Sequence, residues 1–151
     1  MFSFLNKFFP AKAVYAHCDI PCGIYTVEPA RTAAKTVIRM VELIQKLEPP
    51  NFANFNAETA KSKANSLVRY IAVKEEHAQL CKKELLILWT DYFKPEHIQM
   101  FPDLHEKFWK ATKLCSKVKQ EVDMEAAEQL RQAVEEIGQI FARAEETKPK
   151  H

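Results

Sequence analysis

Glycine is so scarce in this chain that most β-rich folds are disfavoured from the outset. The 151 residues include only 2 Gly, Gly23 and Gly138, against 8 Pro. The tight turns that join antiparallel strands depend on Asn-Gly, Asp-Gly or Gly-Gly pairs, and these cannot recur here. A β-sandwich or a β-barrel is therefore not expected, and a length of about one domain leaves a single helical domain as the simplest prediction.

Apolar residues recur at helical spacing in four stretches of the sequence. The stretches begin or end at residues that suit helix ends, such as Pro29 in a first turn and Asp123 as a cap. The predicted helices span residues 28–47, 56–92, 103–118 and 123–147. On the second, the apolar stripe consists of Ala64, Leu67, Ile71, Ala78, Cys81, Leu85 and Leu88. The sequence predicts an all-α four-helix bundle over about residues 28–147.

Composition excludes two classes of partner. A net charge of +2 is too small for a nucleic-acid-binding surface. No apolar run reaches the roughly 20 residues that a membrane span needs, so we expect no membrane partner. The 4 Cys lack the density of a secreted disulfide framework, which favours a reducing, cytoplasmic location.

Residues 1–16 have the composition of a leader. Pro10 and Lys12 interrupt its apolar stretch, which is shorter than the core of a secretory signal. We therefore predict that residues 1–16 are a propeptide removed by a maturation peptidase, and that residues 17–151 form the mature domain.

The segment that follows the leader carries the chemistry. It reads His17-Cys18-Asp19-Ile20-Pro21-Cys22-Gly23-Ile24-Tyr25. Two thiols four positions apart, beside an imidazole, are suited to soft or borderline metals such as Zn, Cu(I), Fe–S clusters and Ni. Zinc is disfavoured because no second Cys/His pair occurs at zinc-finger spacing.

Cleavage before His17 would add donors to this segment. The new α-amine and the amide of Cys18 could lie in one plane with the thiolates of Cys18 and Cys22, which suits Ni(II) or Cu(II). The His17 imidazole could then approach as a fifth ligand when the metal is oxidised. Anionic donors stabilise the higher oxidation state, so redox catalysis is the hypothesis.

Two separate blocks of the sequence resemble the nickel superoxide dismutase family. The family signature His-Cys-x-x-Pro-Cys-Gly-x-Tyr matches residues 17–25 at every fixed position. The block LWTDYFKP at residues 88–95 and the segment FPDLH at residues 101–105 are also similar. The resemblance implies a nickel enzyme that converts superoxide to dioxygen and hydrogen peroxide, folded as a four-helix bundle and assembled as a homohexamer.

The resemblance also assigns the metal ligands. It implies that His17 supplies its amine and an axial imidazole. Cys18 supplies an amide and a thiolate, and Cys22 supplies the second thiolate.

Four further residues are candidates for the catalytic pocket. By the same resemblance, Asp19 and Tyr25 belong to the inner pocket of the hook, defined as residues 17–25. Tyr92 and Lys94 would lie near the open face of the metal or its entry path. Pro21 is expected to follow a cis peptide bond.

The sequence departs from the family pattern at two supporting positions. Family members carry Glu and Arg where this chain has Ala33 and His77. We expect His77 to lie near the hook and to support the axial imidazole in their place. His97 and His105 are expected at the surface or at an interface.

A second class of function is open at this point. The thiol pair could instead serve a non-catalytic carrier of nickel or copper, or a helical interaction protein. Catalysis requires a shielded metal with an open position, whereas a carrier requires exchangeable ligands on an exposed arm.

Overall fold

The protein is an all-α helical bundle, as the sequence predicts. The computed structural model describes residues 23–49, 53 and 55–147, and it contains no strand within them. The helices are α1 (Glu28–Gln45), α2 (Ala57–Ile87), α3 (Pro95–Met100), α4 (Leu104–Gln120) and α5 (Met124–Glu146). A π-helical turn, Leu88–Tyr92, continues α2. None of the described helices is long and apolar enough to cross a membrane.

The four long helices enclose one core. Helix α1 packs against α2 and α5, and α4 packs against the same two helices, so the bundle closes on itself. Each helix turns an apolar stripe inward. The centre of the core consists of buried residues, including Val37, Val41, Cys81, Leu85, Leu104, Phe108, Val118, Leu130, Val134 and Ile137.

Polar side chains cap two of the predicted helix starts. The Asn56 side chain accepts a hydrogen bond from the Thr59 backbone N–H at 3.0 Å. The Asp123 side chain accepts one from the Ala126 N–H at 3.1 Å. Each bond satisfies an N–H group that has no partner within its helix. The expected start of the fourth helix at Asp123 is therefore confirmed.

The connection between Pro95 and Pro102 contains a helix that the sequence analysis did not predict. Helix α3 has 6 residues and begins with Pro95 in its first turn. Six residues are too few to show a helical period, whereas the fixed φ of proline suits a helix start. The bundle thus has one short helix in addition to the four predicted.

The apolar stripe predicted for α2 is buried only in its C-terminal half. Ala64 and Leu67 are exposed, and the first buried residue of α2 is Lys74. Helix α2 has 31 residues, whereas α1 has 18 and α4 has 17. The end of α4 lies beside Lys74, so the N-terminal half of α2 extends past α4.

Arg31 and Gly138 join α1 to α5. The Arg31 guanidinium donates two hydrogen bonds of 3.0 Å to the Glu135 carboxylate and one of 2.6 Å to Glu28. A Cβ at position 138 would lie 2.4 Å from Nη2 of Arg31. A side chain at position 138 would require the Arg31 guanidinium, the far end of a flexible side chain, to shift.

Lys74 anchors α2 to the end of α4. Its residue surface is 2% exposed, and its Nζ donates hydrogen bonds to the carbonyls of Val118, Lys119 and Glu121 at 2.6, 2.8 and 3.0 Å. These carbonyls stand at the C-terminus of α4, where the helix offers them no N–H partners. Burial lowers the pKa of Lys74, and the three carbonyls compensate the amine for the lost water.

We predict that Lys74→Met destabilises the bundle by about 1–3 kcal/mol, because the α4 carbonyls lose a donor in a buried place. Chemical denaturation monitored by circular dichroism would measure the change. Lys83→Met on the exposed side of α2 is the control and should leave the midpoint unchanged. A Lys74→Met midpoint equal to that of the control would contradict this role.

Candidate active site

The predicted metal ligands lie outside the described residues. His17, Cys18 and Cys22, together with Asp19 and the Pro21 peptide bond, precede the first described residue. Their arrangement therefore stays a prediction. The site can be built from its described partners, which begin at Gly23.

Gly23 is the first described residue of the hook. Its φ is +57°, in the left-handed region that glycine adopts without strain. The sequence placed this glycine directly after Cys22, and Tyr25 follows two positions later. The chain then enters α1 at Glu28.

Tyr25 and Tyr92, two of the predicted pocket residues, contact each other. Their ring centroids are 5.9 Å apart in an edge-on arrangement. Tyr92 comes from the π-helical turn and is 1% exposed, whereas Tyr25 is half-buried. The structure thus brings Tyr25, the last residue of the hook, into contact with Tyr92, which is 67 positions later in the sequence.

An aromatic cluster surrounds the Tyr92 ring. The Phe141 and Phe93 centroids lie 4.5 and 4.9 Å from it, and the His97 ring stacks on it at 5.8 Å with an interplanar angle of 8°. His97 is 7% exposed, so the expectation that it lies at the surface is wrong. The short helix α3 turns His97 inward, which the sequence analysis could not predict without that helix.

The Tyr92 hydroxyl is directed at a carboxylate of α5. It donates a hydrogen bond of 2.5 Å to Oε1 of Glu145. Burial raises the pKa of Tyr92 well above its usual range, and the Glu145 hydrogen bond and charge raise it further. Tyr92 is therefore a neutral phenol at any physiological pH.

Lys94 lies two positions after Tyr92, at the start of α3. Its backbone N–H donates a hydrogen bond of 2.9 Å to Nδ1 of His97, and its side chain is half-buried. His97 therefore contacts Tyr92 through its ring and holds the Lys94 backbone through its nitrogen. Three of the four candidate pocket residues therefore lie in this one region of the structure. They are Tyr25, Tyr92 and Lys94.

The two other cysteines are packed inside the bundle. Cys81 and Cys115 are both buried, and the pKa of the Cys81 thiol is raised by its hydrogen bond with Cys115 and by burial. Buried cysteines of this kind behave as small apolar side chains. The expectation that they pack on apolar helix faces is confirmed, and among the described residues no cluster of three His, Cys, Asp or Glu side chains could hold a metal.

Ala33 and His77 lie on neighbouring helices, α1 and α2. Ala33 is fully buried in α1, and the half-buried His77 ring bonds through Nδ1 to the Val73 carbonyl at 2.9 Å. His77 precedes Tyr92 by fifteen residues, which is about 22 Å along a helix. Within one chain, His77 is therefore remote from the Tyr25–Tyr92 contact. Support of the His17 imidazole by His77 stays a prediction, because His17 is outside the described residues.

Glu145 is the part of the site that sequence reasoning missed. It is one of two consecutive glutamates at the end of α5, in a chain with 20 acidic residues. The sequence therefore does not distinguish Glu145 from an ordinary surface carboxylate that contacts water. The one available signal is its position at a helix C-terminus, where acidic residues are disfavoured.

The fold and the site together define a class. Within the helical bundle, the buried Tyr92 contacts Tyr25, at the end of a segment that contains two thiols and an imidazole. This arrangement is expected of an all-α redox metalloprotein. The family model described as nickel-containing superoxide dismutase matches residues 12–145. The chain belongs to the nickel-containing superoxide dismutase family.

Individual relatives agree with this assignment. The chain is 32% identical to a nickel superoxide dismutase of Streptomyces seoulensis and 31% identical to that of Streptomyces coelicolor. Each comparison covers 134 residues, 89% of this chain and 92% of the relative. Family membership decides for the enzyme and against the carrier.

Solved structures share the fold. A crystal structure of nickel-containing superoxide dismutase, with ligation corresponding to the oxidized state, superimposes with a TM-score of 0.72 at 30% identity. The superposition covers 87% of this chain and 100% of the chain in that crystal structure. A native nickel superoxide dismutase structure gives a TM-score of 0.71 at 29% identity and covers 85% and 99%.

Proposed function

We propose that this protein disproportionates superoxide at a nickel ion held by its N-terminal hook, residues 17–25. Family membership gives the activity and the metal. The reaction consumes two superoxide anions and two protons and yields one dioxygen and one hydrogen peroxide. The observation that carries the placement of the site is the contact of Tyr25, at the end of the signature, with the buried Tyr92.

The donor set of the hook fits nickel. Cys18 and Cys22 supply thiolates, and a free His17 amine with the Cys18 amide supplies two nitrogens, which suits a planar Ni(II) site. The bound nickel would supply the one-electron couple that both halves of the reaction need. The His17 imidazole would supply a further nitrogen donor to the metal.

The described residues around Tyr92 support the proposal of a shielded pocket. The rings of Phe93, His97 and Phe141 surround Tyr92 and keep water from its edges. We propose that Tyr25, Tyr92 and Asp19 line the pocket and that the neutral Tyr92 hydroxyl takes part in its hydrogen bonding. An anionic phenolate there would repel superoxide, and the raised pKa of Tyr92 prevents its formation.

Maturation is the next part of the proposal. Because the His17 nitrogen is an amide as long as Ala16 precedes it, removal of residues 1–16 would create the amine ligand. We propose that a peptidase makes this cut and that the protein acts in the cytoplasm. Metal binding is then coupled to processing.

Assembly as a homohexamer is also a proposal. Phe55 and the N-terminal half of α2 expose apolar side chains that a single chain leaves uncovered. Phe55 is 60% exposed and Val68 is 66% exposed, and Leu67 is also exposed. Exposed apolar surface of this kind is typical of protein interfaces.

We predict that Cys18→Ser and Cys22→Ser each abolish nickel binding and superoxide consumption but leave the helical content intact. A hydroxyl is a poor donor to nickel, and the hook contributes little to the core. Metal analysis, a superoxide assay and circular dichroism on processed protein would test this, with Cys115→Ala as a control that should keep nickel. Retained nickel-dependent turnover in either serine variant would contradict the ligand assignment.

We predict that Lys94→Ala slows superoxide consumption by about 2- to 10-fold at low ionic strength, because a cation near the pocket raises the encounter rate with an anion. The difference should shrink as salt is added, since salt screens the attraction. Lys94→Arg should retain most of the rate, and Lys83→Ala on an exposed face of α2 should match the unsubstituted protein. A Lys94→Ala defect independent of salt would show that Lys94 has no steering role.

A further inference from the structure

An exposed carboxylate at one end of the bundle meets the buried phenol of the pocket. Glu145 lies in the last turn of α5, and its Oε1 accepts the 2.5 Å hydrogen bond from the Tyr92 hydroxyl. The two residues are 53 positions apart in the sequence. The family resemblance assigns Tyr92 to the pocket and assigns no role to Glu145.

The position of Glu145 is unfavourable for the helix that carries it. The C-terminus of a helix has a partial negative charge, so a carboxylate in the last turn is destabilising there. Glu145 and Glu146 both lie in the last turn of α5. A residue that breaks a local preference often serves a site, and the bond to Tyr92 identifies that site.

The hydrogen bond fixes the location of the Tyr92 proton. A phenol has one proton to donate, and its oxygen otherwise only accepts. That proton is donated to the Glu145 carboxylate in a charge-assisted hydrogen bond. Toward any further group, the Tyr92 oxygen can therefore act only as a hydrogen-bond acceptor. Burial of Tyr92 makes this bond costly to break, because few water molecules can replace it.

We propose that Glu145 is a positioning residue for the dismutase reaction, which holds the Tyr92 proton and so makes the phenol oxygen a hydrogen-bond acceptor in the pocket. This rests on the proposed function, which places the hook beside Tyr25 and Tyr92. An acceptor there orients species that carry O–H, such as water and the product hydrogen peroxide. Superoxide has no proton to offer, so Tyr92 in this state does not retain the substrate anion.

The first test is a double-mutant cycle on the processed, nickel-loaded protein. Glu145→Ala should lower superoxide consumption by about 10-fold, the scale of lost support around a metal site. Glu145→Gln should lose less, because its amide oxygen can still accept from Tyr92. In a Tyr92→Phe background, Glu145→Ala should cause no further loss, since residues that act through one another are not additive.

Glu146→Ala is the matched control. It removes the same charge from the same turn of α5 and should leave the rate unchanged. Alanine favours helix and position 145 is exposed, so Glu145→Ala should fold, which circular dichroism would verify.

The second readout does not depend on nickel. In protein labelled with ¹³C at the tyrosine Cζ atom, the Tyr92 resonance is the one that Tyr92→Phe removes. It should shift in Glu145→Ala, shift less in Glu145→Gln and stay in place in Glu146→Ala. A role in helix stability alone would not produce this order.

The outcomes separate the two proposals. An active unsubstituted protein in which Glu145→Ala has no effect, or has the same effect with Phe at position 92, would overturn the role of Glu145. An unmoved Tyr92 resonance in Glu145→Ala would overturn it as well. Nickel-loaded, unsubstituted protein that fails to consume superoxide would instead overturn the proposed function, and the role of Glu145 in it.

Discussion

The contact between Tyr25 and Tyr92 is the interaction on which the site depends. It joins the end of the hook, which holds the predicted metal ligands, to the interior of the helical bundle. The ring of Tyr92 is in turn fixed by Phe93, His97 and Phe141, so the anchor has neighbours from the π-helical turn, α3 and α5. The contact therefore attaches the described end of the hook to the bundle.

The bundle and the site are stabilised by different means. Apolar helix stripes, the Asp123 cap and the Lys74 anchor hold the helices together. Among the described hook residues, 23–25, Tyr25 packs against this core. The proposed pocket instead collects residues from the end of the hook, the π-helical turn after α2, the start of α3 and the end of α5. This division explains why loss of a thiol ligand should remove activity and spare the fold.

The sequence was informative where a period or a motif is long enough to be recognised. The four long helices follow from repeated apolar spacing, and the site follows from the nine-residue signature and the block around Tyr92. Helix α3 is too short to have a period, so the inward position of His97 could not be predicted. The exposure of Ala64 and Leu67 depends on how far α1 and α4 extend, which the α2 sequence does not encode.

Glu145 shows a different limit. Its chemistry is that of an ordinary surface carboxylate, and only the three-dimensional path of α5 brings it to the Tyr92 hydroxyl. Residues that act through a neighbour in space leave no spacing signal in the chain. The same applies to Arg31 and Gly138, whose relation becomes visible only when α1 and α5 pack together.

The central claim is that nickel chemistry begins with His17 as the first residue of the mature chain. The intact mass of purified protein that contains nickel and consumes superoxide tests this claim most directly. The account predicts a mass that corresponds to residues 17–151 plus the metal. Full activity in a population whose mass shows residues 1–16 still attached would contradict it.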